Sequence, residues 1–279
     1  MSKTRFATVL ILLACGFGAA LIAGFSGNLA NEVEQLPPKE AFHLYLLIGQ
    51  SNMAGRVPVQ RRDRVPDPRV LMLDDQDRWV LALDPVHTDK SIAGVGLCRS
   101  FARVLTDEDQ SITIGLIPCS VGGSALRQWE QGEAHYESAV SRTQLAMANG
   151  TLRGILWHQG ESDTLTLASA QTYEQRLIEM IHDMRTDLGA PAIPFLIGEL
   201  GEFLVRDPNR PYAFQINRAL FNVAAVVPNT GWIDAHGLDH VGDQVHFDRR
   251  SLNELGRRYA HAMMQLYASE VAVPSSDVR

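Results

Sequence analysis

The 279-residue chain, 46% hydrophobic and 20% charged, can bury one full core and reads as one domain rather than two small ones. Its net charge of −7 and its lack of clustered lysine and arginine argue against a nucleic-acid partner, because phosphate backbones are held by such clusters.

Residues 1–30 are read as a targeting segment and kept out of the fold. Lys3 and Arg5 precede an apolar run, Ala7 to Phe25, that is long for a signal-peptide core and close to the ~20 residues that cross a bilayer. The segment is therefore either a signal peptide or an N-terminal membrane anchor. Either one exports the remainder to a secreted or periplasmic location, and the second leaves it tethered. Residues 31–41, with Pro37 and Pro38, form a polar linker. The domain occupies residues 42–270, and 271–279 form a tail.

Within the domain, Phe42–Ile48 is a short apolar run bounded by Gly49, as expected of a buried strand. Similar runs follow at Val70–Leu73, Ile112–Pro118, Leu152–Trp157, Ile193–Ile197 and Gly231–Ile233. Helical patterns lie between or after them, at Leu97–Leu105, Tyr136–Ala148, Ala168–Leu188, Tyr212–Val226 and Leu252–Ala268. Strand followed by helix, repeated, predicts a parallel sheet covered on both faces, with ligands bound beyond the carboxyl ends of the strands.

The residues able to carry chemistry fall at those ends. Ser51, in Gly49-Gln50-Ser51-Asn52-Met53, follows the first strand. A serine hydroxyl is a weak nucleophile until an imidazole takes its proton and a carboxylate orients that imidazole. Asp243-Gln244-Val245-His246 supplies both; if the segment makes one helical turn, the carboxylate reaches the ring. Together the two segments look like a serine esterase. Met53 stands where a Gly-x-Ser-x-Gly elbow needs its second glycine, so an ordinary α/β-hydrolase is disfavoured. Donors for a tetrahedral oxyanion can come from the Ser120-Val121-Gly122-Gly123-Ser124 turn and from the Gln159 amide. Glu161 and Asp163, in the polar burst after Trp157, are expected to hold loops by accepting backbone hydrogen bonds.

These segments occur in the order seen in the SGNH hydrolases: Gly-Gln-Ser-Asn-Met, the Gly-Gly-Ser turn with Leu126 and Trp129 behind it, Gly154 to Asp163, and Asp243-x-x-His246-Phe247. The chain resembles the branch containing sialate O-acetylesterases and acetylxylan esterases, carbohydrate esterase family six, over about Phe42 to Tyr267. The resemblance implies a three-layer α/β/α sandwich around a mostly parallel, five-stranded sheet of flavodoxin-like type. It also implies Ser51 as nucleophile, His246 as base and Asp243 as the orienting acid. The oxyanion hole would use the Ser51 N–H, Gly123 or its neighbour Gly122, and Gln159, with Gln50 and Asn52 in support. Family members use no metal or organic cofactor. Gly94-Val95-Gly96 departs from the Gly-Pro-Gly-like turn common in relatives.

The expected function is an exported esterase that removes acetyl groups from carbohydrate hydroxyls through an acyl-serine. Its partner would be an acetylated carbohydrate. The alternatives are an esterase or lipase of other small acyl esters, or a non-catalytic carbohydrate-binding surface protein. Several residues have plainer readings. Trp129 either stacks on a sugar or lids the core. His236 and His240 read as solvent-facing loop histidines, because no metal motif surrounds them. Arg61-Arg62-Asp63-Arg64 reads as a solvated loop rather than an anion site. Cys98 and Cys119 either form a disulfide or remain two buried thiols.

Overall fold

The computed structural model describes Val33 and residues 35–272. The targeting segment and the tail expected at 271–279, apart from its first two residues, lie outside them. The central strand is β1 (Phe42–Gly49), followed by α1 (Ser51–Ala54), β2 (Val70–Leu73), β3 (Trp79–Leu81), α2 (Cys98–Glu108), β4 (Thr113–Pro118) and α3 (Ala134–Ala146). The second half comprises β5 (Thr151–His158), α4 (Leu167–Asp187), β6 (Phe195–Gly198), α5 (Glu202–Arg206), α6 (Ala213–Val226), β7 (Thr230–Ile233) and α7 (Arg249–Ala272).

The sheet order is β3-β2-β4-β1-β5-β6-β7. All neighbours pair in parallel except β3, which runs antiparallel to β2. The sheet thus has seven strands, not five. One addition, β3, is three residues long and belongs to a hairpin. Its turn is held by the Asp74 carboxylate, which accepts the Gln76 and Arg78 N–H groups at 2.9 Å each. So short a segment leaves no periodic apolar signature.

The parallel strands are apolar because both faces are covered. Leu44, Leu46, Leu47 and Ile48 of β1 have no exposed surface, each burial being worth roughly 1.5–3 kcal/mol. Tyr45 meets Phe101 of α2 edge-on, with ring centroids 5.0 Å apart, and its hydroxyl lies 3.0 Å from that of Tyr267 in α7. α2 packs along α7, and α4 along α6. From β1 the chain runs outward to β2 and β3, returns through β4, and crosses to β5 on the far side. The crevice at the strands' carboxyl ends therefore opens at β1.

Candidate active site

β1 ends at Gly49, where the backbone demands glycine. Its φ is +128°, and a β-carbon would come within 2.2 Å of the His158 carbonyl oxygen. The Gln50 N–H bonds that same oxygen at 2.9 Å, and the chain turns into α1 with Ser51 as its first residue. The strand end thus fixes the serine at the rim of the sheet.

His246 meets the serine from 195 residues away. Its Nε2 lies 3.0 Å from Ser51 Oγ, and its Nδ1 lies 2.6 Å from Asp243 Oδ2. The Asp-x-x-His segment reaches this geometry without making a helical turn. Asp243 Oδ1 instead accepts the N–H groups of Val245 at 2.9 Å and His246 at 2.8 Å, with Gln244 left-handed at φ 58°. Partial burial pushes the Asp243 carboxyl up, but the bonds from His246 and Val245 outweigh it and hold it below its ordinary value. An ionised carboxylate only accepts. Nδ1 therefore carries the ring proton, and Nε2 offers its lone pair to the Ser51 hydroxyl.

Asn52 grips the histidine loop on both sides of His246. Its Oδ1 accepts the Phe247 N–H at 3.0 Å, while Nδ2 donates to the Val245 carbonyl at 3.0 Å and to Glu161 Oε1 at 2.5 Å. Burial pushes the Glu161 carboxyl up to about 7, against the opposing bond from Asn52. Glu161 thus accepts the Asn52 side-chain amide as well as a backbone N–H, its own. Asp163 also accepts a backbone N–H, that of Leu126, at 2.9 Å. His240 is a brace of this loop and not merely solvent-facing: Nδ1 accepts the Gly242 and Gln244 N–H groups at 3.0 and 3.1 Å, and the ring packs 5.0 Å from Phe203. Its one sequence signal is proximity to Asp243. His236 is exposed, with Nδ1 2.7 Å from Glu202 Oε1.

The glycine turn lies beside the serine because the Val121 N–H bonds the Gly49 carbonyl at 3.0 Å. The Gly122 N–H is consumed by Asp89 Oδ2 at 2.7 Å, so Gly122 has no donor left for a substrate. The N–H groups of Gly123 and Ser51 have no partner among the described residues. Gln159 corrects the expectation of a side-chain donor. Its Nε2 faces three acceptors, Asp163 Oδ2 at 2.7 Å, Ser124 O at 2.9 Å and Gln50 Oε1 at 3.1 Å, while Oε1 accepts from Tyr173. Two amide hydrogens leave none for an oxyanion, and Gln159 is a brace beneath the turn. Gln50 shares that network, its Oε1 also accepting the Ser162 N–H at 3.3 Å.

Trp129 is the core lid and not a sugar platform. It has no exposed surface; its Nε1 donates to Ser124 Oγ at 2.9 Å, and its ring meets Trp157 edge-on at 5.6 Å. His158 is likewise buried. Desolvation pushes its imidazole down to about 3, and its Nδ1 lies 3.2 Å from the Tyr259 hydroxyl. The polar burst after β5 is therefore an internal layer that shapes the site from behind. Cys98 and Cys119 are free thiols, and the Arg61–Arg64 segment is a short, largely exposed 3-10 turn pinned by Arg249 to Asp63. Val95, in the Gly94-Val95-Gly96 turn, bridges to Val57. Among the described residues no group of three or more His, Cys, Asp and Glu is placed to hold a metal, and no helix is long and apolar enough to cross a membrane.

Residues 41–265 match the family model described as carbohydrate esterase, sialic acid-specific acetylesterase. A probable carbohydrate esterase of Arabidopsis thaliana, At4g34215, is 32% identical over 252 residues, spanning 82% of this chain and 92% of the relative. The crystal structure of the Arabidopsis protein AT4G34215 superposes with a TM-score of 0.74 at 29% identity, covering 82% of this chain and 99% of that one. The structure of NanS shares the fold, with a TM-score of 0.69 at 17% identity over 84% of this chain and all of the other. The chain belongs to the sialic acid-specific acetylesterase family of carbohydrate esterases and is a carboxylic ester hydrolase.

Proposed function

We propose that Ser51 attacks acetyl esters of carbohydrate hydroxyls and is acylated in the process. The observation that carries this reading is the line from Ser51 Oγ to His246 Nε2, 3.0 Å, and from His246 Nδ1 to Asp243 Oδ2, 2.6 Å. As the serine oxygen bonds the acetyl carbon, its proton passes to Nε2, and the carbonyl oxygen becomes an oxyanion held by the Ser51 and Gly123 N–H groups. Collapse of the intermediate expels the sugar oxygen, which takes the proton from His246. Water then gives a proton to His246 and attacks the acetyl-serine; acetate leaves, and the proton returns to Ser51. The imidazole must be neutral to begin, so the rate falls in acid.

The family description makes O-acetylated sialic acid the first substrate to test; acetylated xylan, which only the sequence resemblance suggests, is the second. Export rests on the apolar run Ala7 to Phe25 and is tested by sequencing the amino terminus of protein recovered outside the cytoplasm. The decisive measurement is acetate release from both acetylated carbohydrates and from simple acetyl and longer acyl esters, by the wild type and by Ser51→Ala. The wild type should release acetate, prefer acetyl over longer chains, and be labelled once per chain by a fluorophosphonate. A folded Ser51→Ala protein with near-wild-type turnover would defeat the assignment.

A further inference from the structure

The two N–H groups proposed to hold the oxyanion sit on separate segments, Ser51 on α1 and Gly123 on the turn after β4. One buried ion pair links those segments. Arg56, two residues beyond α1, meets Asp89 through both terminal guanidinium nitrogens: Nη2 lies 2.6 Å from Oδ2 and Nη1 lies 3.3 Å from Oδ1. Nη1 also donates to the Gly55 carbonyl at 2.7 Å, fixing the guanidinium to the end of α1. On the other side, Asp89 Oδ2 accepts the Gly122 N–H at 2.7 Å. The two side chains are 6% and 3% exposed, so water does not compete for these bonds.

The contact is close enough to dictate the residue at position 122. A β-carbon on Gly122 would lie 2.0 Å from Arg56 Nη2 and 2.8 Å from Asp89 Oδ2. The turn is held at Val121 by Gly49, at Gly122 by Asp89, and at Ser124 by Trp129 and Gln159. Gly123, φ +82°, is the residue whose N–H these ties leave open.

From this geometry we infer that Asp89 and Arg56 are positioning residues of the esterase reaction. They set the separation and direction of the two oxyanion donors without touching the substrate. Stability alone is a poor account of the pair, because a buried ion pair replaced by apolar groups of similar volume often leaves stability unchanged or raised. What such a replacement removes here is the backbone bond to Gly122. Arg56 also neutralises a carboxylate that would otherwise repel the charge developing next to it. A fixed donor is worth far more to a transition state than a wandering one, since a preorganised dipole needs no reorganisation at the moment of reaction.

The inference rests on the proposed serine mechanism, and the test separates the two. Asp89→Ala is compared with the double variant Arg56→Met/Asp89→Leu, which leaves no lone buried charge and keeps the fold testable if the single variant unfolds. Both should lose on the order of 10²-fold in kcat, with KM within about threefold. The double variant should melt near the wild-type temperature and keep the wild-type acid limb of its pH profile, because His246 and Asp243 are untouched. Fluorophosphonate labelling of Ser51 should slow in step with kcat. Asp89→Asn retains an oxygen for the Gly122 N–H and should recover part of the loss. A folded double variant with kcat within twofold of the wild type would overturn the positioning role alone. A wild type that releases no acetate and takes no fluorophosphonate would overturn the mechanism and the inference together.

Discussion

The two halves of the catalytic corner are built by different means. Ser51 and Asn52 stand at the end of the central strand, 5% and 2% exposed, and their position follows from backbone pairing on both sides of β1. The side chains of His246 and Asp243 are 24% and 43% exposed, on a loop that belongs to no strand or helix. That loop is held by discrete side-chain bonds from Asn52, Asp243 and His240. The exposed half takes its order from polar groups buried in the other, so a residue remote from the substrate can decide whether the imidazole reaches the serine.

The strongest way to break this arrangement lies at the loop's own carboxylate. Asp243→Asn should lower kcat by about 10⁴-fold, because the ring loses the partner that fixes its tautomer, while the melting temperature stays nearly constant. Steady-state kinetics beside a thermal melt check this; a loss below about tenfold would mean that the exposed carboxylate does not serve the histidine. Next in size is the link between the halves. Asn52→Ala strips partners from the Phe247 N–H, the Val245 carbonyl and Glu161, and should reduce kcat by roughly 10²-fold through misplacement of His246. It should also destabilise the fold by about 1–3 kcal/mol, measured by urea unfolding. Retention of kcat within about threefold would show that the loop holds itself.

Glu161 sharpens the comparison through pH. Its carboxyl keeps its proton to about 7 when buried, against 4.5 when free. This contribution to stability is whole below 4.5 and is lost as pH rises through about 7. Glu161→Gln has no proton to lose, so it should gain on the wild type between about pH 5 and about pH 8. Equal melting-temperature differences at the two pH values would contradict this burial effect. The smallest change is expected at Trp129. Trp129→Phe removes the bond to Ser124 Oγ and should destabilise by about 1 kcal/mol, with KM for acetylated sugars unchanged. A large rise in KM would return the indole to the substrate side.

The fold was legible where burial imposes a pattern. The apolar runs beginning at Phe42, Val70, Leu152 and Gly231 became β1, β2, β5 and β7 with bounds shifted by one residue at most. The short pieces were not legible: β3 and α5 are three and five residues long, too few to display a period. At the site, Ser51, Asp243 and His246 were readable because their residue types and spacing already describe a proton-handling line. The roles of Gln159, Gly122, Trp129 and His240 were not.

Composition and periodicity determined by themselves that this chain forms a parallel sheet under helices, with its reactive residues at the strands' carboxyl ends. Both follow from how a chain hides apolar side chains, which is written residue by residue. Tertiary structure alone decided which N–H groups stay open, which amide is spent on its neighbours, and that Arg56 and Asp89 meet across 33 residues. A hydrogen bond depends on distance and direction to within a few tenths of an ångström, and no order of residues along a chain specifies those.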